Sequence, residues 1–218
     1  MAIETTDDTA TRWHGAEGDP VVALAHDWNG RLPWIDDFGA RLADEGFRVA
    51  VLDLYDGRST TDDDEADALL RERRADLPGA LHIVSEAIGE ARALGSEQAA
   101  VVGFSMGAGI ALTYAAQGSI DAVVAYYGAA PHSTATGPRV PALFQLAEHD
   151  DWSGREAPEA YRERLEAEGF DDVEIRHYPG AVHGFQNAQV PGRYDADASA
   201  AAWASTVAFL REHLRPAG

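Results

Sequence analysis

The feature that most constrains the fold is the apolar run at residues 99–104, which ends abruptly in a glycine-rich turn at 103–109. The run predicts a buried parallel strand, and the apolar and alanine residues from 110 onward predict a helix directly after the turn. Strand, sharp turn and helix are the setting in which a G-x-S-x-G motif forms a nucleophile elbow. Ser105 is then expected at the start of a helix, where backbone N–H groups favour developing negative charge.

The glycines around Ser105 fit this interpretation. Gly103 and Gly107 keep bulk away from the strained apex, and Gly109 is expected to let the helix sit close to the strand. Short motifs of this kind also arise by chance, so the alternative is an ordinary strand-to-helix turn with an incidental serine. The choice between the two depends on whether the chain supplies partners for a serine nucleophile.

Composition limits the classes of protein that the chain can belong to. With 218 residues, 45% of them hydrophobic, it can bury one substantial core, and we predict a single domain over residues 1–218. No apolar run reaches the length of about 18 residues that predicts a transmembrane helix. The acidic N-terminus does not resemble a signal peptide, and the lack of cysteine excludes disulfides and thiolate chemistry. A cytoplasmic location is the default expectation.

The charge balance is strongly acidic. The sequence has 37 aspartates and glutamates against 17 basic residues, all of them arginine, for a net charge of −20. Such a field repels nucleic acids and anionic membranes, so neither is a predicted partner. An acidic surface without lysine is typical of proteins from a high-salt cytoplasm, with arginine use in a GC-rich source as the alternative explanation. The oligomeric state stays open between a monomer and a small homo-oligomer.

The rest of the chain alternates apolar strands with amphipathic helices. Strands are predicted at residues 21–26, 48–55, 122–127, 141–146 and 173–178, and short edge strands within 3–13. Helices are predicted at 33–45, 59–75, 156–169, and from 78 and 196 onward. This alternation predicts an α/β fold with a mostly parallel central sheet and helices on both faces. In such sheets functional residues collect at the carboxyl ends of the strands.

Two later strand ends carry the partners that a serine nucleophile needs. A serine requires a base that is itself held by a third group, and in α/β-hydrolases the chain order is Ser, then an acid, then His. Asp150 and Asp151 follow the predicted strand at 141–146, and His183 follows the strand at 173–178. This ordered pattern favours a catalytic serine, although residue spacing alone does not choose between the two aspartates.

The other histidines compete less well for the role of the base. His132 and His149 lie in strand-end loops and are the alternatives to His183. His26 also follows a strand, but it precedes Ser105 and therefore has the wrong order. The remaining histidines are expected at surface or packing positions. No pair has the H-E-x-x-H spacing and no histidine–aspartate cluster is typical of a metal site, so we predict no metal and no other cofactor.

Seven segments form an ordered set of motifs: residues 25–30 (AHDWNG), 53–55 (DLY), 103–107 (GFSMG), 125–128 (AYYG), 142–145 (ALFQ), Asp150 and 178–185. Together they resemble the dienelactone hydrolases over about residues 21–210. The resemblance implies an α/β-hydrolase fold with a triad of Ser105, Asp150 and His183, and it selects Asp150 over Asp151. It also implies an oxyanion hole made by the backbone N–H groups of Met106 and Trp28.

Further site residues are expected around this triad. Asp27 matches the position of an acidic residue that lies near the nucleophile in the family. Five aromatic residues are candidates for the wall of an acyl pocket, with core packing as the alternative for each: Trp28, Trp34, Tyr126, Trp152 and Phe185.

The chain departs from the family pattern in two places. The namesake enzymes carry cysteine where this chain has Ser105, and an arginine for a substrate carboxylate where it has Asn187. Arg71 or Arg74 could replace another family arginine, but their segment is typical of a solvated helix face. The resemblance therefore implies hydrolysis of a small-molecule ester or lactone other than dienelactone. Acyl transfer or amide hydrolysis by the same triad, and a non-catalytic scaffold that binds a small ligand, are the alternatives.

Overall fold

The computed structural model describes residues 3–6, 9–117, 120–129, 140–152 and 156–214. It contains the strands β1 Glu4–Thr5, β2 Arg12–His14, β3 Val21–Ala25, β4 Arg48–Val51, β5 Arg58–Ser59, β6 Ala99–Phe104, β7 Ala122–Tyr126, β8 Ala142–His149 and β9 Val173–Val182. The helices are α1 Pro33–Asp44, α2 Asp63–Ala75, α3 Leu77–Ala93, α4 Met106–Ala115, α5 Glu156–Ala167 and α6 Ala196–His213.

Seven strands form one sheet in the order β2-β4-β3-β6-β7-β8-β9. β2 is antiparallel to β4, and every other neighbouring pair is parallel. β1 and β5 form a separate antiparallel pair. The predicted α/β architecture with a mostly parallel sheet is therefore confirmed, and the edge strands expected within residues 3–13 are β1 and β2.

Helices cover both faces of the sheet because its strands are apolar on both sides. Along β3, Val21 and Ala23 belong to one apolar layer with α3 and α4, whereas Val22 and Leu24 belong to the other with α1 and α6. All residues of β3, β6 and β7 are buried. Such continuous apolar strands are expected where a parallel sheet is covered on both faces. No helix in the described part of the chain has both the length and the apolar character needed to cross a bilayer.

Two strands are longer than predicted, and their extension positions the candidate site. β8 continues to His149 and β9 to Val182, with an irregularity between Ala147 and His149 that aligns His149 with Val182. Asp150 and His183 consequently follow the ends of neighbouring strands. β4 in contrast ends at Val51, and the chain beyond it turns where the Asp53 carboxylate accepts the N–H groups of Tyr55 and Gly57.

Candidate active site

Ser105 lies at the sharp turn between β6 and α4. Its backbone has φ 53° and ψ −109°, a region that non-glycine residues rarely adopt, and its N–H donates to the Tyr126 carbonyl at 2.9 Å. A Cβ at Gly103 would lie 2.2 Å from the Gly107 carbonyl oxygen, and one at Gly107 would lie 2.1 Å from the Ala25 carbonyl oxygen. The turn therefore requires glycine at both positions.

Gly109 plays a smaller part than predicted. A Cβ there would meet only the Ala129 carbonyl oxygen, at 3.8 Å, which is an ordinary van der Waals contact. The expectation that Gly109 allows close packing of the helix is corrected: Gly107, which lies against the end of β3, makes the close approach.

Ser105, His183 and Asp150 form a continuous line of hydrogen bonds. Ser105 Oγ is 2.8 Å from His183 Nε2, and His183 Nδ1 is 2.9 Å and 3.0 Å from the two carboxylate oxygens of Asp150. Because the carboxylate accepts from Nδ1–H, the neutral ring presents an unprotonated Nε2 to the serine hydroxyl. Asp151 is exposed, while the Asp150 side chain is only 3% exposed. In this arrangement His183 Nε2 can accept the proton of the Ser105 hydroxyl.

Tyr127 packs against this line and was not predicted as a site residue. It follows β7 with φ 35°, is fully buried, and its ring meets the His183 ring edge-on at 5.1 Å between centroids. Burial is the main cause that raises the pKa of its hydroxyl well above the usual value. A buried tyrosine at a strand end cannot be distinguished from an ordinary core residue in the sequence; its left-handed backbone is visible only in the structure.

Met106 and Trp28 lie next to each other at the N-terminus of α4. Their side chains pack together with Ala66 and Leu70 of α2, and the Tyr55 hydroxyl donates to Met106 Sδ at 3.2 Å. Within the described residues, neither backbone N–H of the pair donates to a protein acceptor. The N-terminus of α4, which begins with Met106 directly after Ser105, can receive negative charge there.

The dienelactone hydrolase family model matches residues 10–214. The chain belongs to the dienelactone hydrolase family. A lactone is a cyclic ester, and the chain is accordingly an ester hydrolase. Protein usf of Aquifex pyrophilus is 31% identical over 209 residues, which cover 90% of each chain. Carboxymethylenebutenolidase 1 of Cupriavidus pinatubonensis is 27% identical over 205 residues, 88% of this chain and 85% of that protein.

Solved structures confirm the α/β-hydrolase fold. A dienelactone hydrolase-like promiscuous phosphotriesterase from metagenomic libraries superposes with a TM-score of 0.81 at 20% identity, covering 97% of this chain and 98% of its own. Esterase PE8 superposes with a TM-score of 0.65 at 19% identity over 94% and 99% of the two chains. At these identities the similarity establishes the fold alone.

Asp27 is buried near His183 and bonds to Asn187, the residue at which the chain departs from the family pattern. Its two carboxylate oxygens accept from the Asn29 N–H and from Asn187 Nδ2, each at 2.9 Å. Burial raises the pKa of Asp27, and these bonds together with nearby His183 and Arg193 act in the opposite direction. Asn187, at the position of the family arginine, thus bonds to Asp27.

The five candidate aromatic residues separate into two groups. Trp28 and Trp152 meet edge-to-face with ring centroids 4.9 Å apart, and the Trp152 ring lies 6.3 Å from the His183 ring. Tyr126 and Phe185 are fully buried, and the Tyr126 hydroxyl bonds to Thr206 at 2.7 Å. The prediction that these two line a pocket is corrected, because both point into the core layer that contains α1 and α6. Trp34 is buried in that layer too.

Arg193 is a second residue that the sequence analysis missed. Its guanidinium donates to Asp63 at 2.9 Å and lies 5.4 Å above the Trp28 ring, and a Cβ added at Gly184 would lie 3.2 Å from its Cδ. The arginine therefore connects the segment after His183 to the start of α2. An isolated arginine in a loop carries no sequence pattern that distinguishes this position from any other surface arginine.

The remaining candidates lie apart from the hydrogen-bonded Ser105, His183 and Asp150. His149 is exposed beside Glu148, and His132 lies outside the described residues. Arg71 and Arg74 are exposed on α2, as predicted for a solvated face. Among the described residues, no three His, Asp or Glu side chains form a group that could hold a metal ion.

Proposed function

We propose that the chain hydrolyses carboxylic esters or lactones through a Ser105–His183–Asp150 triad and an acyl-enzyme. The observation that carries the proposal is the 2.8 Å contact between Ser105 Oγ and His183 Nε2, with Asp150 on the opposite ring nitrogen. A nucleophile within hydrogen-bond reach of a base that is oriented by a third group is typical of covalent catalysis.

The reaction follows from the positions of these groups. Ser105 Oγ attacks the carbonyl carbon while its proton passes to His183 Nε2, and the Met106 and Trp28 N–H groups stabilise the oxyanion. When the tetrahedral intermediate collapses, His183 gives the proton to the leaving alcohol, and the acyl group stays on Ser105. Water then attacks the acyl-enzyme by the same route and releases the acid. Asp150 keeps Nδ1 protonated and stabilises the imidazolium.

We propose an uncharged substrate near the acyl centre. The Asp27 oxygens are occupied by neutral donors, Asn29 and Asn187, and Asp27 lies close enough to His183 to interact with its charge. A substrate carboxylate would approach this buried acid, and the nearby cation Arg193 is already paired with Asp63, so the like charges would repel each other with little compensation. This arrangement supports esters and lactones other than the anionic dienelactone.

Replacement of the nucleophile tests the scheme. Ser105→Ala should lower kcat/KM for p-nitrophenyl acetate by at least about 1,000-fold, since the triad acts as a unit. Ser85→Ala, on an exposed position of α3, is the matched control and should retain wild-type activity. If Ser105→Ala hydrolyses the ester at the wild-type rate, the mechanism is wrong.

A fluorophosphonate probe separates an enzyme from a non-catalytic scaffold. The activated serine should form a covalent adduct with the probe, and peptide mapping should locate the adduct at Ser105. Absence of an adduct from the folded wild-type protein would favour the ligand-binding alternative.

A further inference from the structure

Trp152 is an exposed aromatic residue at the candidate active site. Its side chain is 65% exposed, and it is one of three large hydrophobic residues that the described part of the chain exposes, with Leu94 and Tyr194. Its ring contacts the buried Trp28 and lies 6.3 Å from the His183 ring. A large apolar face open to solvent at this place is available to a substrate.

The ring is held by its neighbours on two sides. The Trp152 N–H donates to Asp150 Oδ1 at 2.9 Å, which fixes the backbone relative to the triad. Trp28 is only 7% exposed, and Arg193, itself bonded to Asp63, lies over it. Trp28 thus gives Trp152 a fixed edge-to-face neighbour, and such contacts restrict the orientation of both rings.

The position beside His183 identifies which half of the substrate meets Trp152. His183 must hand its proton to the oxygen of the leaving alcohol, so that alcohol has to lie next to the imidazole when the intermediate collapses. Trp152 borders the imidazole and the acyl carbon is fixed at Ser105 Oγ. The alcohol half of the ester, rather than the acyl half, is therefore adjacent to the exposed ring.

We propose that Trp152 is the binding surface for the leaving group and that the site prefers uncharged esters whose alcohol carries an aromatic ring. This inference rests on the proposed function and names its substrate class. An aromatic ring that stacks on Trp152 binds more favourably than a saturated ring of the same size, because the quadrupoles of the two aromatic rings attract each other. The difference corresponds to a preference of about three- to tenfold for the aromatic ester.

The charged groups around the rim also bear on which alcohol the site accepts. Arg193 already lies on the Trp28 side of the pair and repels a second cation there. Of the nearby acids, Asp150 and Asp63 are engaged with His183 and Arg193, whereas Asp151, which precedes Trp152, is exposed. An anionic alcohol is disfavoured by the net charge of −20.

The test compares benzyl acetate with cyclohexylmethyl acetate, whose leaving alcohols are similar in size and reactivity. The wild-type protein should favour the benzyl ester by about three- to tenfold in kcat/KM, mainly through KM. Trp152→Leu should abolish this preference while the cyclohexylmethyl ester is still cleaved, and Trp152→Phe should retain most of it. The control Trp203→Leu removes a tryptophan of α6 that packs against Arg41 and Phe38 of α1, and it should keep the preference.

The outcomes separate this inference from the proposed function. The role proposed for Trp152 is wrong if both esters are cleaved with equal kcat/KM in a Ser105-dependent reaction, or if Trp152→Leu keeps the preference. Either result leaves the proposed triad unaffected. If acetylcholine is preferred over the acetate of the uncharged carbon isostere of choline, the site selects cations and the inference is overturned. If neither ester is cleaved and no fluorophosphonate adduct forms, the proposed function fails and this inference fails with it.

Discussion

His183 and His26 both follow a strand, but their surroundings give them different roles. His183 is partly exposed and bonds to a carboxylate and a hydroxyl. His26 is fully buried: its Nδ1–H donates to the Asp27 carbonyl at 2.7 Å, and its Nε2 accepts from the Leu54 N–H at 3.1 Å. Both of its nitrogens are committed to the backbone, so His26 is a structural residue.

Burial of His26 predicts a loss of stability in acid. Burial lowers the pKa of His26 from 6.5 to about 4, with Asp53 and Arg31 as nearby charges. The unfolded chain therefore binds this proton more tightly, and the stabilisation present above pH 6.5 is lost as the pH falls towards 4. The loss should reach about 3 kcal/mol in the free energy of unfolding.

Urea titrations of the wild type and His26→Asn across this pH range measure the contribution. The variant loses the bond to Leu54 and the ring contact with Tyr55, so it should be less stable at neutral pH. The difference between the two proteins should narrow as the pH falls, because only the wild type pays the cost of protonating His26. A difference that stays constant with pH would contradict the assignment.

The sequence predicted those site residues that are recognised by their order along the chain. Ser105, Asp150 and His183 follow three strands in a fixed succession, and the structure brings them into contact. Tyr127 and Arg193 could not be predicted, since one resembles a core aromatic and the other a surface charge. The prediction that Tyr126 and Phe185 line a pocket is wrong. Whether an aromatic ring near a strand end points into a pocket or into the core depends on how it packs against α6, which the sequence does not reveal.

At the scale of elements, continuous apolar runs predicted the inner strands well but misplaced the ends of several strands. The last strand was predicted at residues 173–178, yet β9 continues through Pro179 and Gly180 to Val182. Proline is tolerated there because β9 is an edge strand and needs no ladder bond on its outer side. The Gly180 N–H also donates to the Glu148 carboxylate at 2.8 Å, a long-range contact that sequence periodicity does not reveal.

The turn between β6 and α4 predicts opposite effects for two glycines in the same helix. A Cβ at Gly107 would overlap the Ala25 and His26 carbonyl oxygens, so Gly107→Ala should destabilise the protein by about 3 kcal/mol or more and reduce esterase activity. Gly109→Ala meets no close contact and should stabilise the helix by about 0.5–1 kcal/mol with activity retained. Thermal unfolding and p-nitrophenyl acetate assays of both variants measure these effects; equal effects of the two substitutions would contradict this account of the elbow.

At the scale of the whole molecule, negative charge exceeds what the arginines can neutralise. Arginines bridge acids at many points of the surface, among them Arg58 with Glu72 and Arg211 with Glu45. Exposed pairs of this kind contribute little each, and with 37 acidic side chains against 17 arginines much of the surface remains repulsive. The compact state therefore concentrates negative charge that unfolding would disperse.

This repulsion predicts that salt stabilises the protein. The screening length falls from about 10 Å at about 0.1 M to about 3 Å at about 1 M salt, so the melting temperature should rise between about 0.1 M and 3 M KCl. A matched variant, Asp37→Asn/Asp44→Asn/Glu90→Gln/Glu97→Gln, removes four exposed charges and should melt higher at low salt and gain less from KCl. Any general salting-out effect acts on both proteins. The difference between their increases in melting temperature therefore measures the contribution of screened charge repulsion. Unchanged melting temperatures across this range would show that the acidic composition does not reflect adaptation to salt.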